Sequence, residues 1–461
     1  MKVRDVLTLD VEDIALGGKA LARHEGRVVF VDRGLPGDRI KVRLTKVKSS
    51  FAEARLESLE TPAPNRIAPR CAHVDICGGC RLQELPYDEQ CRLKERQVGE
   101  ALRHLGGLAE PPVNALVPAP SPWHYRNKME FSFMANGAGE PVLGMHERGT
   151  FDKVFEMREC HLPSPLVVEI LLLTQRFARE RRWKAYHPSR HDGIARFLKV
   201  RHLLLTDECA VNLVAVSDRL PGLNEWAAAV AALSPAVKTV TLGINAALAN
   251  IAVMDEETVL YGTGAIVEKL LGLEFEVVGN AFLQTNSAQA ERLYQAALDA
   301  ARLDGSETVL DLYCGAGTLT LLFARAAKSV VGVENVPDAV ERARRNALRN
   351  GVANARFVGG DARQVLREWA QGKAEGAPKP DLVVVDPPRA GLHPRVVVRT
   401  AELRPKRIVY VSCNPATLAR DVKDFGAHGY TLAEVTPYDM FPHTPHIECV
   451  ARLERTSGAD S

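Results

Sequence analysis

Two side chains in the last sixty residues could work together on an electrophilic carbon. They are Cys413 in "IVYVSCNPATLARD" (408–421) and Glu448 in "HTPHIECVARL" (443–453). A thiolate adds to an activated double bond, and a carboxylate of suitable basicity removes a proton afterwards. Ile408 to Val411 is a β-branched and aromatic run that reads as a buried strand, and Asn414-Pro415 breaks it into a loop. Cys413 is therefore expected just past the carboxyl end of a strand, where open α/β sheets hold their ligands. Taken alone, the stretch fits a thiol acting as a small buried hydrophobe better. Glu448 interrupts an apolar strand between Ile447 and Cys449. If that strand is buried, the carboxyl pKa rises towards what a base needs near neutral pH. On an edge strand it would be an ordinary surface acid.

The elements that must position this pair begin about a hundred residues upstream. "TVLDLYCGAGTLTLLFARAAKSVVGVENV" reads as a strand from Thr308 to Tyr313, a tight turn at Gly315 and Gly317, a helix, and a strand from Val330 ending in Glu334. Glycines let a ligand approach the backbone, and an acid about twenty residues on accepts ribose hydroxyls. A pyrophosphate site needs a third glycine, but the position holds Thr320. A nucleoside ligand without pyrophosphate, S-adenosylmethionine, fits better. Asp361 follows a third strand, where such folds meet the adenine edge, and "LVVVDPPRAG" runs a fourth strand into Asp386-Pro387-Pro388. A methyl donor leaves the acceptor to be named. Nitrogen acceptors need no thiol, whereas C5 of a pyrimidine becomes nucleophilic once a thiolate has added at C6. The alternating strand and helix pattern from about 280 implies a mostly parallel, doubly wound α/β sheet.

"CAHVDICGGC" spaces Cys71, Cys77 and Cys80 as C-x5-C-x2-C, and Cys160 in "MRECHLPSP" is the candidate fourth ligand. Spacing alone leaves zinc and a [4Fe–4S] cluster open. The remaining cysteines of the nine, Cys91, Cys209, Cys314 and Cys449, read as ordinary thiols. The first sixty residues hold short alternating strands separated by Gly34, Pro36-Gly37-Asp38 and Ser49-Ser50, which suggests a small oligonucleotide-binding-type barrel. Arg39, Lys41 and Arg43 share one face of its "RIKVRL" strand. Between 120 and 275 a mixed α/β region is expected, with helices at 165–182 and 224–233 and strands at 194–200 and 210–216. Its basic run, Arg176 to Lys184, fits a phosphate track or a solvated helix end. A chain of 461 residues exceeds one core, and its net charge of +2 neither demands nor excludes nucleic acid. The opening "MKVRDVLTLD" lacks a signal peptide's apolar core and no charge-free span suits a membrane helix, so a cytoplasmic protein with no membrane partner is expected.

"FLQTN", "DLYCGAGTLTL", "GVE", "DPPRAG", "SCNPATLARD" and "HIECV", between Phe282 and Val450, resemble in order the motifs of the RNA uracil-C5 methyltransferases, specifically the 23S ribosomal RNA branch. The resemblance implies Cys413 as nucleophile and Glu448 as base. It implies cofactor contacts from Gln284, Tyr313, Gly315, Gly317, Thr318, Glu334, Asp361 and Asp386, with Thr318 standing where a close relative would carry asparagine. It tips the cysteine set to a [4Fe–4S] cluster on Cys71, Cys77, Cys80 and Cys160, expected to brace the fold. It also implies an N-terminal TRAM barrel. "HYRNKMEF" (124–131) resembles a family segment too, so Arg126 and Lys128 are expected to support the RNA or the active site. The expected organisation is a TRAM barrel at 1–62, an iron–sulfur central domain at 63–279 and a Rossmann-like methyltransferase domain at 280–461, working as a monomer on 23S ribosomal RNA. The alternatives are methylation of tRNA, or RNA binding on a vestigial methyltransferase fold.

Overall fold

Alternation of side chains decides the first unit. In the strand Arg39–Val47 the residues Ile40, Val42 and Leu44 are buried while Arg39, Lys41 and Arg43 are exposed. That strand is β4 of a closed barrel with β1 (Val6–Ile14), β2 (Ala20–His24), β3 (Arg27–Val31) and β5 (Phe51–Thr61), joined in the order β1-β2-β3-β5-β4. Closure leaves no free edge, and small residues such as Ala20, Ala22 and Ala52 fill its narrow core. The computed structural model describes residues 1–371 and 377–456.

After the barrel, α1 (Tyr87–His104) buries Val98, Ala101 and Leu102 among residues of the C-terminal unit. The middle of the chain forms a seven-stranded sheet from β6 (Lys128–Ala135), β7 (Pro141–His146), β8 (Val154–Glu156), β9 (Ala195–Leu203), β10 (Glu208–Ala215), β11 (Val237–Ile244) and β12 (Glu256–Gly262). Helices α2 (Pro165–Glu180) and α3 (Leu223–Ala231) pack on it, two residues shorter at their C-terminal ends than the sequence suggests. Trp183 and Trp226 anchor this core, their rings 6.0 Å apart edge to face. A hairpin, β13 (Ala265–Leu270) and β14 (Leu273–Val278), leads onward.

The last unit alternates α4 (Ser287–Ala301), β15 (Thr308–Leu312), α5 (Thr318–Ala324), β16 (Ser329–Glu334), α6 (Pro337–Arg349), β17 (Ala355–Gly359), α7 (Ala362–Ala370), β18 (Leu382–Val385), α8 (Pro394–Glu402), β19 (Arg407–Ser412) and α9 (Pro415–Gly426). It closes with the strands β20 (Tyr430–Tyr438) and β21 (Glu448–Arg455). The sheet order is β17-β16-β15-β18-β19-β21-β20. Five strands are parallel, and β21 inserts antiparallel between β19 and β20. The runs Leu382–Val385 and Ile408–Val411 are wholly buried because helices cover both faces, each such side chain contributing roughly 1.5–3 kcal/mol. The α1 helix lies on this unit, packed against α9. Among the described residues no helix is long and apolar enough to cross a membrane.

Candidate active site

The inverted strand β21 assembles the site. Because it runs against β19, its first residue lies at the carboxyl edge of the parallel strands. Ser412 pairs with Cys449. One step further in the same register sets Cys413 opposite Glu448. The sequence places Glu448 inside a strand, and the structure makes it the strand's first residue, with its side chain buried. An edge acid would be solvated, so the surface alternative is set aside.

Asp386 directly follows β18, the other neighbour of β19. Burial pushes its carboxyl up to about 7. Glu448 is raised well above the carboxylate range by burial and then by Asp386, with Arg389 opposing. The Cys413 thiol is pushed up to about 11 by burial, then by Glu448 and Asp386, while Arg389 pulls it down. Cys413, Glu448, Asp386 and Arg389 thus form one electrostatic unit. The loop after Cys413 is fixed by Asn414, whose carboxamide caps α9 at the Ala416 N–H (3.1 Å) and donates to the Arg389 carbonyl (3.0 Å). A resting thiol here is protonated, so attack requires help from a nearby positive charge.

The glycine turn lies beside this group. Tyr313 follows β15 with φ of 67°, half-buried against the core that holds Leu312, Val385 and Tyr410. Burial and then the Asp361 charge push its hydroxyl up to about 12. Gly315 donates its N–H to Glu334 Oε2 (3.0 Å), while Glu334 Oε1 accepts from the Asn335 and Val336 N–H groups (2.8 and 2.9 Å). Those bonds aim one carboxylate across the turn. Thr318 opens α5 directly after Gly317. Asp361 caps α7 through the Arg363 and Gln364 N–H groups and is paired with the Arg363 guanidinium at 2.9 Å. Gln284 is buried in the segment before α4, its carbonyl held by Asn127 Nδ2 at 2.9 Å.

Three participants escape a sequence reading. Arg389 is quoted in "DPPRAG", yet nothing in the spacing shows that it faces the thiol. Asp311 is fully buried in β15, accepts the Thr320 hydroxyl on one oxygen (2.5 Å) and leaves the other unpartnered. Burial raises it to about 7. Its signal was a charged residue inside the apolar run "TVLDL". Tyr294 on α4 faces Asp386, Glu448 and Asp311 and has its hydroxyl pKa raised, burial first.

The four candidate ligand cysteines are free thiols and meet in a second place. Cys80 and Cys160 share a small apolar cluster with Trp123, Tyr125 and Leu162. Burial pushes Cys160 up to about 12, and the charges of Cys80, Cys71 and Cys77 add to it. The sulfurs of Cys71 and Cys77 accept N–H bonds from His73 and Gly79, each 3.4 Å. Arg148 ties the loop together through the carbonyls of Val74, Cys77 and Cys80 (2.9, 3.1 and 3.1 Å). Among the described residues no three His, Cys, Asp or Glu side chains stand in a metal-holding arrangement. By donor chemistry alone, four thiols suit iron or zinc.

Two of the three cations on the outer face of "RIKVRL" are paired with acids. Arg39 pairs with Asp10 (3.4 Å) and Arg43 with Glu57 (2.6 Å), which leaves Lys41 without an acidic partner among the described residues. Lys128 pairs with Glu130 (2.6 Å), whereas Arg126 belongs with Arg389, Lys94 and Arg81 to the cations around His446.

A parallel sheet ordered 3-2-1-4-5 with an inverted final hairpin, a glycine turn and an acid after the second strand define an S-adenosylmethionine-dependent methyltransferase. Residues 113–456 match the family model described as tRNA (Uracil-5-)-methyltransferase, and residues 1–56 match the TRAM domain. The chain belongs to that family of RNA uracil-5-methyltransferases and is a transferase. It is 40% identical over 461 residues to an uncharacterized RNA methyltransferase of Nitratidesulfovibrio vulgaris, covering 99% of this chain and 97% of that one. A Bacillus cereus protein of the same description is 38% identical over 443 residues, covering 96% and 95%. Among solved structures, the Pyrococcus abyssi tRNA (uracil-54, C5)-methyltransferase in complex with S-adenosyl-L-homocysteine superposes with a TM-score of 0.77 at 28% identity, over 97% of this chain and 99% of that one.

Proposed function

We propose that this enzyme methylates C5 of a uridine in 23S ribosomal RNA through a covalent bond between Cys413 and C6. The supporting observation is a buried Glu448 at the carboxyl edge of the sheet, one step beyond the Ser412–Cys449 pair and close enough to Cys413 for its charge to raise the thiol. The thiol loses its proton to solvent, assisted by Arg389, and the thiolate adds to C6. The resulting enolate attacks the sulfonium methyl through C5, releasing S-adenosylhomocysteine. Glu448 then takes the C5 proton, the C5–C6 double bond re-forms, and the thiolate leaves. Gln284, Tyr313, Gly315, Gly317, Thr318, Glu334, Asp361 and Asp386 line the cofactor side. Residues 1–62, 63–279 and 280–461 act as barrel, central and catalytic domains of a cytoplasmic monomer. Cys71, Cys77, Cys80 and Cys160 would hold a [4Fe–4S] cluster, which is surplus to methyl transfer and serves structure.

The C-x5-C-x2-C pattern with its distant fourth cysteine supports ribosomal RNA. The barrel does not discriminate, since the Pyrococcus abyssi tRNA enzyme matches this chain over 97% of its length. That likeness favours tRNA as the second reading. Mass spectrometry of 23S ribosomal RNA and of tRNA from a deletion strain decides between them by which loses 5-methyluridine. Cys413→Ala should abolish both turnover and adduct. Glu448→Gln should accumulate a methylated protein–RNA adduct that survives denaturing electrophoresis. Continued methylation by Cys413→Ala would overturn the covalent route.

A further inference from the structure

The residues that lead into Glu448, from Asp439 to His446, lie in no helix or strand, yet they carry the base. Their backbone is held from several directions. Lys94 on α1 bonds Asp439 (2.7 Å) and the Phe441 carbonyl (3.2 Å), with Lys94 and Asp439 both fully buried. Asn286, the cap of α4, donates to the Met440 carbonyl (3.2 Å), and the Tyr125 hydroxyl donates to the Pro442 carbonyl (3.1 Å). The densest grip is on His443. Its carbonyl accepts from the Arg81 and Leu82 N–H groups (2.8 and 3.0 Å), and its N–H donates to Gln90 Oε1 (2.9 Å). The Gln90 carboxamide is itself fixed by the Leu82 and Leu85 carbonyls (2.9 and 2.8 Å). Trp123 stacks on the imidazole with centroids 3.8 Å apart.

His443 has φ of 65°, in the left-handed region that a non-glycine residue occupies only when its surroundings impose it. The side chains that impose it come from α1 and from the segment before β6, outside the parallel sheet. A loop held in a costly conformation five residues before a catalytic carboxylate sets where that carboxylate sits. We infer that Gln90 and Tyr125 are positioning residues for Glu448, and that their grip on the 439–446 segment governs proton removal from C5 while leaving thiolate addition and methyl transfer untouched. Cys413 is carried by β19 and the α9 cap, which none of these bonds reach. The inference rests on the assignment of Glu448 as the base.

The test compares two rates in the full-length enzyme. Trapping on 5-fluorouridine RNA reports addition and methyl transfer, because fluorine at C5 cannot leave as a proton. Steady-state turnover on uridine RNA includes proton removal. In Gln90→Met the ratio of turnover to trapping should fall about tenfold, well inside what a misplacement of an ångström costs, with adduct accumulating on uridine RNA. Tyr125→Phe, which deletes a single hydroxyl and preserves the ring, should lower the ratio in the same direction by less. Equal loss of both rates would show general damage and overturn the inference, as would an unchanged ratio in both variants. Absence of a trapped adduct with the unaltered enzyme would instead overturn the catalytic assignment itself, and the positioning role with it.

Discussion

At the residue scale the site is a problem of charge. A thiol at about 11 crowded by Glu448 and Asp386 is a poor nucleophile at rest, and Arg389 is the group that favours its ionised form. Thiolate is the reactive species, so its fraction rises about tenfold per pH unit below the pKa. Trapping on 5-fluorouridine RNA should therefore accelerate from about pH 7 to about pH 9. Removing the guanidinium raises the thiol pKa further, so Arg389→Leu should be slower at every pH in that window. A pH-independent rate would show a thiol already ionised in the complex. The carboxyl of Asp386 has the opposite linkage to stability. Its folded pKa of about 7 lies above the unfolded value, so it favours the fold at low pH and that contribution is lost as pH rises through about 7. On the proposed cofactor side a buried carboxylate would favour a cationic ligand, at the expense of the ligand-free fold.

The glycine turn shows how an element can separate binding from stability. Gly317 has φ of 86°, and a Cβ there would meet Ala343 Cβ and the Phe357 ring at 3.1 Å. Gly315 has φ of 55°, and a Cβ there would meet nothing within 4 Å. The first glycine is required by packing as well as backbone. The second faces open space where a ligand can approach. Gly317→Ala should cost roughly 1–2 kcal/mol from the left-handed backbone alone, with crowding added, and lower the melting temperature. Gly315→Ala should lose less stability but weaken S-adenosylmethionine binding, measured by calorimetry. Equal effects of the two substitutions on both quantities would remove the distinction.

Over the whole molecule, the chain's parts meet around the loop that precedes Glu448, so units far apart in sequence share one mechanical element. Arg81 and Leu82 directly follow Cys80 and hold the His443 carbonyl, which links the thiol cluster to that loop. Protein purified without oxygen should be brown and contain about four irons per chain, read by metal analysis and absorbance. Zinc at one equivalent without iron would assign the thiols to zinc instead. Replacing Cys160 by Ser should lower metal content in either case. The face of "RIKVRL" presents fewer free cations than its sequence suggests, because Asp10 and Glu57 pair with Arg39 and Arg43.

Much of this was open to reading in the chain itself. Alternation in "RIKVRL" gave the barrel strand, and the apolar runs ending in Glu334, Asp386 and Cys413 gave the parallel strands, because burial imposes its period locally. The thiol before Asn-Pro and the acid inside "HIECV" marked the candidate site, the acid because a carboxylate is expensive to bury in a strand that has no use for it. The sequence could not show that β21 runs backwards. That follows from sheet order, a long-range property, and it brings Glu448 to the edge that carries Cys413. Nor could it show that Arg389 faces the thiol, that Asp311 and Tyr294 join the carboxylates, or that α1 leaves its sequence neighbours to pack on α9. Spacing along a chain reports periodicity and turn chemistry. Distances between residues hundreds of positions apart exist only once the sheet has formed.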